Sequence, residues 1–438
     1  MKAYKGADQW ICAIDFGTSN SLICPVTPGR EPVPVTMGHS ADSEAILKSI
    51  LFTRDGDSWH FGQDAVDRYT ESGREGRIFR SLKKFLPDPS FTGTRIFSRQ
   101  YSIADLIAVF LRELKKKADE EAGVDIKRAV FGRPAVFSMD PEKDRLAEDR
   151  LRAAAKVVGF QEVHFCPEPL AAAYEFRRHL QEEKLVAIAD FGGGTSDFTI
   201  LKMGQNGFAR EDILAIGGVS VAGDAFDGVI MKNFLASHFG SEISYKMPLG
   251  SNTLSLPVNV KNKMCSAADI SFLGSKDIAR LLHDAARWSM SPEETRKVEQ
   301  LFVLVEEHQG YRLFSHIEKA KQQLSEASVA QINFSYPGID LHMEIEAGKF
   351  KDASDDRVRD ITASLDETMA KAGVSYEDVD IVCCTGGTAR VKALRQALGE
   401  RFGFEKLTQY KNFQSVIMGL AHYGQEILGK SEIDVRSS

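Results

Sequence analysis

Short apolar runs that end on an acid or a glycine recur along this chain, separated by longer stretches of helical period. Ile11–Ile14 closes on Asp15, and Leu22–Val26 follows a few residues later. Leu185–Ala189 (L-V-A-I-A) closes on Asp190, and Phe198–Met203 resumes the pattern. Runs of this length, apolar and partly β-branched, predict buried strands. Arg128–Val136 predicts another, and Asp380–Arg390 reads as strand, double glycine and helix start. Ile50–Thr53, the turn R-D-G-D and Trp59–Gly62 predict a small sheet-containing subdomain. Ile103–Ala118 carries Ile103, Leu106, Ile107, Phe110, Leu111 and Leu114 at helical spacing, which predicts an amphipathic helix. A long charged helix is predicted over 141–158. Glu318, Lys321 and Ser325 stand at i, i+3 and i+7, on one face of a further helix.

The turns between the paired runs carry the candidate chemistry. Residues 190–197 read D-F-G-G-G-T-S-D, with strand before, strand after and an acid at each end. Gly192, Gly193 and Gly194 lack Cβ atoms, so their N–H groups can close around a large anion, and Thr195 and Ser196 add hydroxyls. Asp190 and Asp197 would repel a bare phosphate; acids beside a phosphate cradle make sense when a hydrated Mg2+ sits between them. Taken alone, the stretch also fits an ordinary glycine hairpin with solvated acids. The first turn, D-F-G-T-S-N-S from Asp15, repeats the plan with Gly17, Thr18, Ser19 and Asn20. A whole strand–turn–strand unit repeated at two distant positions predicts two related halves facing one ligand. A Walker A loop or a Rossmann turn would instead lead from its glycines into a helix. The letters G-Q-E-I-L-G-K-S at 424–431 spell a Walker A loop, but they follow a helix and lack the strand that such a loop requires.

Composition narrows the classes. At 438 residues the chain can form two or more domains, and 43% hydrophobic with 27% charged residues is globular usage. A net charge of −7 gives no footprint for general nucleic-acid binding. The first ten residues lack a signal-like apolar core, and no run approaches a membrane span, so neither nucleic acid nor membrane is expected as a partner. Six scattered cysteines without C-x-x-C spacing fit a reducing cytoplasm.

Further stretches sharpen this picture. Val163–Tyr174 contains P-E-P-L-A-A-A-Y, with Glu168 held between two prolines. Leu214–Asp227 reads L-A-I-G-G-V-S-V-A-G-D-A-F-D; I-E-K-A-K-Q-Q-L-S spans 317–325 and T-G-G-T-A-R spans 385–390. With the two hairpins, these resemble in type and order the DnaK-type seventy-kilodalton heat-shock protein family, within the superfamily of actin and the sugar kinases. The resemblance implies a two-lobed actin-like α/β ATPase fold, in which duplicated ribonuclease-H-like subdomains flank a nucleotide cleft. It places lobe I at 1–182 and 406–438, with a small subdomain near 41–100, and lobe II at 183–405, with an insert near 231–345.

Residue by residue, the resemblance implies ATP or ADP with Mg2+ in the cleft. Asp15 and Asp190 would hold Mg2+ through water. Gly17, Thr18, Ser19, Asn20 and the 192–195 turn would bind phosphates, with Gly217, Gly218, Gly223 and Asp224 nearby. In the basic stretch 73–86, otherwise readable as a solvated helix face, R-S-L-K-K-F-L places Lys83 at the γ-phosphate, with Lys84 as the alternative register. Glu168, Asp197 and Thr195 would orient the attacking water. Glu318 and Lys321 would meet the ribose, Ser325 the base, and Gly386, Gly387 and Arg390 would close over the base. Two positions depart from the family: Gln322 where Arg usually stacks on adenine, and Phe413 where an acid usually stands near the ribose. Nothing in the sequence resembles the family's linker and peptide-binding domain, so the branch consisting of the nucleotide-binding part alone is expected. The expected function is a slow ATPase whose lobe closure a partner or client protein reads; a small-molecule kinase and an actin-like filament protein are the alternatives.

Overall fold

A computed structural model describes residues 6–37, 44–71, 76–176, 180–204, 212–248, 252–307, 309–409 and 415–436. Two five-stranded sheets organise the chain. The first is built from β1 (Ile11–Phe16), β2 (Asn20–Val26), β3 (Leu47–Lys48), β4 (Arg128–Arg133) and β5 (Glu162–Pro167), in spatial order β5-β4-β1-β2-β3. The second uses β6 (Lys184–Phe191), β7 (Ser196–Met203), β8 (Ile213–Val219), β9 (Ile381–Thr385) and β10 (Leu407–Gln409), in order β8-β7-β6-β9-β10. In each sheet the first three strands run antiparallel, and the last two add in parallel on the other side of the first. The sheets are thus two copies of one topology, the duplication that the repeated hairpins predict. The fold is the two-lobed α/β arrangement of the actin-like ATPases.

In the first strand of each copy Ile11–Ile14 and Val186–Ala189 are apolar without alternation because they are buried on both faces. Helix Ile103–Ala122 covers the first sheet. It begins at a capping box between Ser102 and Asp105 and runs to Ala122, four residues beyond the predicted Ala118, where Gly123 at φ 71° caps it. Helix Pro141–Val158 starts as predicted, with Asp140 accepting the Glu142 N–H and proline in the first turn. On the second sheet, helix Ala347–Ala372 lies so close to β8 that a Cβ on Gly217 would stand 2.0 Å from Thr368 Oγ1. The small subdomain contains a sheet of Ile50–Thr53 between Trp59–Phe61 and Arg77–Arg80. Tyr311, from helix Gly310–Leu324, packs on its core beside Ile50, Phe52 and Tyr69, with the Arg80 guanidinium 5.4 Å from the ring centroid.

Strand β10 corrects one expected boundary. Leu407–Gln409 pairs in parallel with Val382–Cys384, so the chain leaves the second sheet after Gln409 and not at 406. The Walker-like letters at 424–431 lie inside the single helix Ser415–Arg436, which leaves no loop to cradle a phosphate. Among the described residues, no helix is long and apolar enough to cross a membrane.

Helix Ser415–Arg436 crosses helix Glu168–Phe176 at backbone contact: a Cβ on Gly419 would lie 1.6 Å from the Ala171 carbonyl oxygen. The substitution Gly419→Ala therefore forces the two helices apart. Chemical denaturation should show a loss of about 1–3 kcal/mol, and an unchanged midpoint would contradict this packing.

Candidate functional site

Both hairpin turns project from the ends of matching strand pairs into one cleft of about 530 Å³. In the first, Asp15 pairs with Leu22 and Phe16 with Ser21; in the second, Asp190 pairs with Asp197 and Phe191 with Ser196. The turns meet closely. A Cβ on Gly193 would stand 2.5 Å from Ser19 Oγ, and one on Gly194 would stand 3.0 Å from Thr18 Oγ1. A side chain at either position would thus press on the hydroxyl of the opposite turn, more severely at Gly193 than at Gly194. The carbonyls of the second turn are occupied: Gly192 O accepts from the Gly223 N–H and the Thr388 hydroxyl, and Gly193 O accepts from the Asp224 N–H. The N–H groups of Thr18, Ser19, Gly193 and Gly194 take no partner among the described residues. Such unpaired donors, converging from two sides, suit an anion with several oxygens.

Beneath the turns lies a surplus of acid. Asp190, Asp197 and Glu168 are buried, Asp15 is half-buried, and Lys83 is the buried cation among them. Burial, then Glu168, raises the Asp15 carboxyl to about 7 and the Asp190 carboxyl to about 6. The same two causes raise Asp197 to about 8. Burial would lower the Lys83 ammonium, but the Glu168 and Asp15 charges outweigh it and hold the group above its usual value. Lys83 Nζ donates to Glu168 Oε1. Thr385 donates to Asp190 Oδ1 at 2.6 Å, and the Ala135 N–H donates to Asp197 Oδ1 at 2.7 Å, which ties a lobe I loop to a lobe II acid. More carboxylate than cation in a buried floor is a donor set that fits a hydrated divalent ion. Mg2+ would meet Asp15 and Asp190 there.

Most predicted residues line this cleft: Asp15, Gly17, Thr18, Ser19, Asn20, Lys83, Glu168, Asp190 and the 192–195 turn at one end; Glu318, Lys321, Gln322, Ser325, Gly386, Gly387 and Arg390 toward the other. Gly223 and Asp224 join them. Of the two candidate lysines, Lys83 faces the cleft and Lys84 is exposed outside it. Glu168 begins a helix and is not held in a loop, so the N-terminal end of the helix dipole lies at its backbone.

Gly217 and Gly218 are corrections. They sit within β8 opposite Phe198 and Asp197 and do not line the cleft. Their lack of side chain serves packing, against Thr368 for one and 2.8 Å from Asp197 Oδ1 for the other. Lys321 lines the cleft, but its ammonium pairs with Asp227 at 2.8 Å and donates to the Gly223 carbonyl at 3.0 Å. It braces the 223–227 turn more directly than it reaches toward a sugar. Asp227 went unassigned in the sequence, although its place one helical turn after Asp224 was a usable signal. Phe413 lies outside the described residues.

The model of the Hsp70 protein family matches residues 88–255 and 274–435. The chain belongs to the Hsp70 family. The chaperone protein DnaK of Thermosipho melanesiensis is 25% identical over 425 residues, covering 94% of this chain and 58% of that protein. The chain therefore spans little more than half the length of this curated relative. Hsp70 proteins bind ATP or ADP with Mg2+. The first hairpin and Lys83 precede the residues matched by the Hsp70 model, so their place in the site rests on the cleft geometry. The break at 256–273 falls within the expected insert near 231–345 and contains the short helix Val258–Met264.

Replacing the buried lysine and its exposed neighbour separates their roles. If the cleft turns over ATP, Lys83→Ala should lower turnover by on the order of 10²-fold, whereas Lys84→Ala should stay within twofold of wild type in a phosphate-release assay. Equal losses would remove Lys83 from the site.

Proposed function

We propose that this chain is a slow, Mg2+-dependent ATPase that works as a nucleotide-driven, chaperone-like switch. The observation that carries the reading is the facing pair of hairpins, with unpartnered N–H groups above a floor richer in carboxylate than in cation. ATP would lie along the cleft, with its phosphates between the hairpins and its adenosine toward helix Gly310–Leu324 and the 386–390 turn. Asp15 and Asp190 would hold Mg2+ through water, and the bound ion would supply positive charge to the phosphate oxygens.

Hydrolysis is an in-line displacement. Water attacks the γ-phosphorus, the bond to the β–γ bridging oxygen breaks, and ADP and phosphate leave. Glu168, Asp197 and Thr195 orient the water. Lys83 offsets negative charge on the transferred group, and the hairpin N–H groups stabilise charge as it develops. Because both lobes contribute to the phosphate site, occupancy by ATP or ADP changes how firmly the lobes are held together. A partner or client protein would read that change, in a reducing cytoplasm where the cysteines stay thiols.

The variant Asp197→Asn tests the chemistry against stability. Asparagine keeps the oxygen that accepts the Ala135 N–H and removes a buried charge. Turnover should fall by on the order of 10²-fold, and unchanged turnover would take Asp197 out of the mechanism. In the ligand-free, metal-free protein the variant should be the more stable of the two. The folded-state value of Asp197 is about 8, above the unfolded value. The native acid therefore holds its proton more tightly, and the wild type loses stability as pH rises from about 4 through about 8. The stability gap between variant and wild type should widen across that window; a constant gap would show that the charge is not the cause.

A further inference from the structure

Arg150 makes a set of contacts that the proposed mechanism does not use. It projects from helix Pro141–Val158 toward the segment just after Lys83, where tight turns point backbone carbonyls in one direction. Its Nη1 donates to the carbonyls of Phe85 at 3.2 Å, Leu86 at 2.9 Å and Asp88 at 2.8 Å, and its Nη2 to that of Phe91 at 3.0 Å. One guanidinium thus gathers the carbonyls of a seven-residue stretch. A planar fork with five N–H donors can do this, and an ammonium with three cannot meet the same spread. The tilted rings of Phe85 and Phe91 pack with centroids 5.0 Å apart, and Leu86 is fully buried, so the stretch is a packed unit fastened at one point.

The other side of Lys83 is strained. Ser81 lies at φ 55° and ψ 35°, a left-handed conformation that disfavours residues with a Cβ, and its buried hydroxyl has no hydrogen-bond partner. Before it, strand Arg77–Arg80 is fixed by pairing with Ile50–Thr53. After it, Lys84 N–H bonds to the Ser81 carbonyl and Leu86 N–H to the Lys83 carbonyl, 3.2 Å away. Such strain persists only when both flanks are held. The strand holds one flank and Arg150 holds the other.

We infer that Arg150 is a positioning residue for Lys83: by clasping the 85–91 carbonyls it keeps the Ser81 turn left-handed and Lys83 Nζ in the cleft against Glu168. This rests on the proposed role of Lys83 for its catalytic consequence, but not for the placement itself. The test therefore reads both. Folded wild type, Arg150→Ala, Arg150→Lys and the double variant Arg150→Ala/Ser81→Gly are acylated with a water-soluble acetylating ester, and the modification of Lys83 relative to exposed Lys84 is measured by peptide mass spectrometry. Single-turnover ATP hydrolysis and ATP affinity are measured on the same proteins.

In the wild type Lys83 should be protected. Arg150→Ala should raise its modification at least tenfold and slow single turnover at least tenfold, with ATP affinity within threefold. Arg150→Lys should recover little of either. Adding Ser81→Gly should restore at least threefold of the lost rate, because glycine takes the left-handed turn without strain. A general role in stability would lower the thermal midpoint and leave Lys83 protected in the folded protein. Lys83 as protected in Arg150→Ala as in the wild type overturns the inference. Should Arg150→Ala not fold, the same result in Arg150→Lys overturns it. If the wild type binds no ATP, the ATPase reading fails while the acylation result still decides the role of Arg150.

Discussion

The buried surplus of negative charge at the cleft floor is the constraint on which the rest of the site depends. Asp15, Glu168 and Asp190 line the cleft around one buried lysine, and Asp197 lies buried close to Glu168 and Asp190 without lining it. Burying carboxylates without matching cations is costly, and Asp15, Asp190 and Asp197 answer by holding their protons above the usual range. A fold that keeps such a cluster is built to be completed from outside. On the proposed reading the open N–H groups of the two turns would receive an anion and the acids a cation, so a metal–phosphate pair would satisfy both at once.

Duplication explains how the completion is arranged. Each sheet places its first hairpin at the same end of the same strand pair, so two copies facing each other bring glycine against hydroxyl, and a Cβ at Gly193 or Gly194 would crowd Ser19 or Thr18. Supporting contacts then cross between copies. Ala135 of the first lobe donates to Asp197 of the second, and Tyr311 of the second packs on the core of the small subdomain in the first. A ligand between the hairpins therefore bears on the relation of the lobes and not only on its immediate neighbours.

The sequence made the chemistry legible because it is carried locally. D-F-G-G-G-T-S-D is strand, turn and strand in eight consecutive residues, and its repeat near the N-terminus announced both the duplicated sheets and the shared cleft. The sequence leaves the lysine register open; of the two neighbours Lys83 is buried and lines the cleft, and Lys84 is exposed. What stayed hidden was nonlocal. Gly217 and Gly218 look like phosphate-loop glycines in one dimension, but a helix more than a hundred residues away crowds Gly217, and Asp197 on the neighbouring strand crowds Gly218. The pairing of β10 with β9 depends on a three-residue strand too short to carry a period, so the lobe boundary was misplaced. The engagement of Lys321 by Asp227 and the clasp by Arg150 depend on tertiary approach and leave no spacing in the chain to read.

The central claim is that cation and phosphate complete this site together. Calorimetric titration of ATP into the ligand-free protein, with Mg2+ and with a chelator, tests it most directly when run beside Asp190→Ala. The account predicts that wild type binds ATP at least tenfold more tightly with Mg2+ than without it, and that Asp190→Ala loses most of that difference. Equal affinity with and without Mg2+, or no binding of ATP by the wild type, would contradict it.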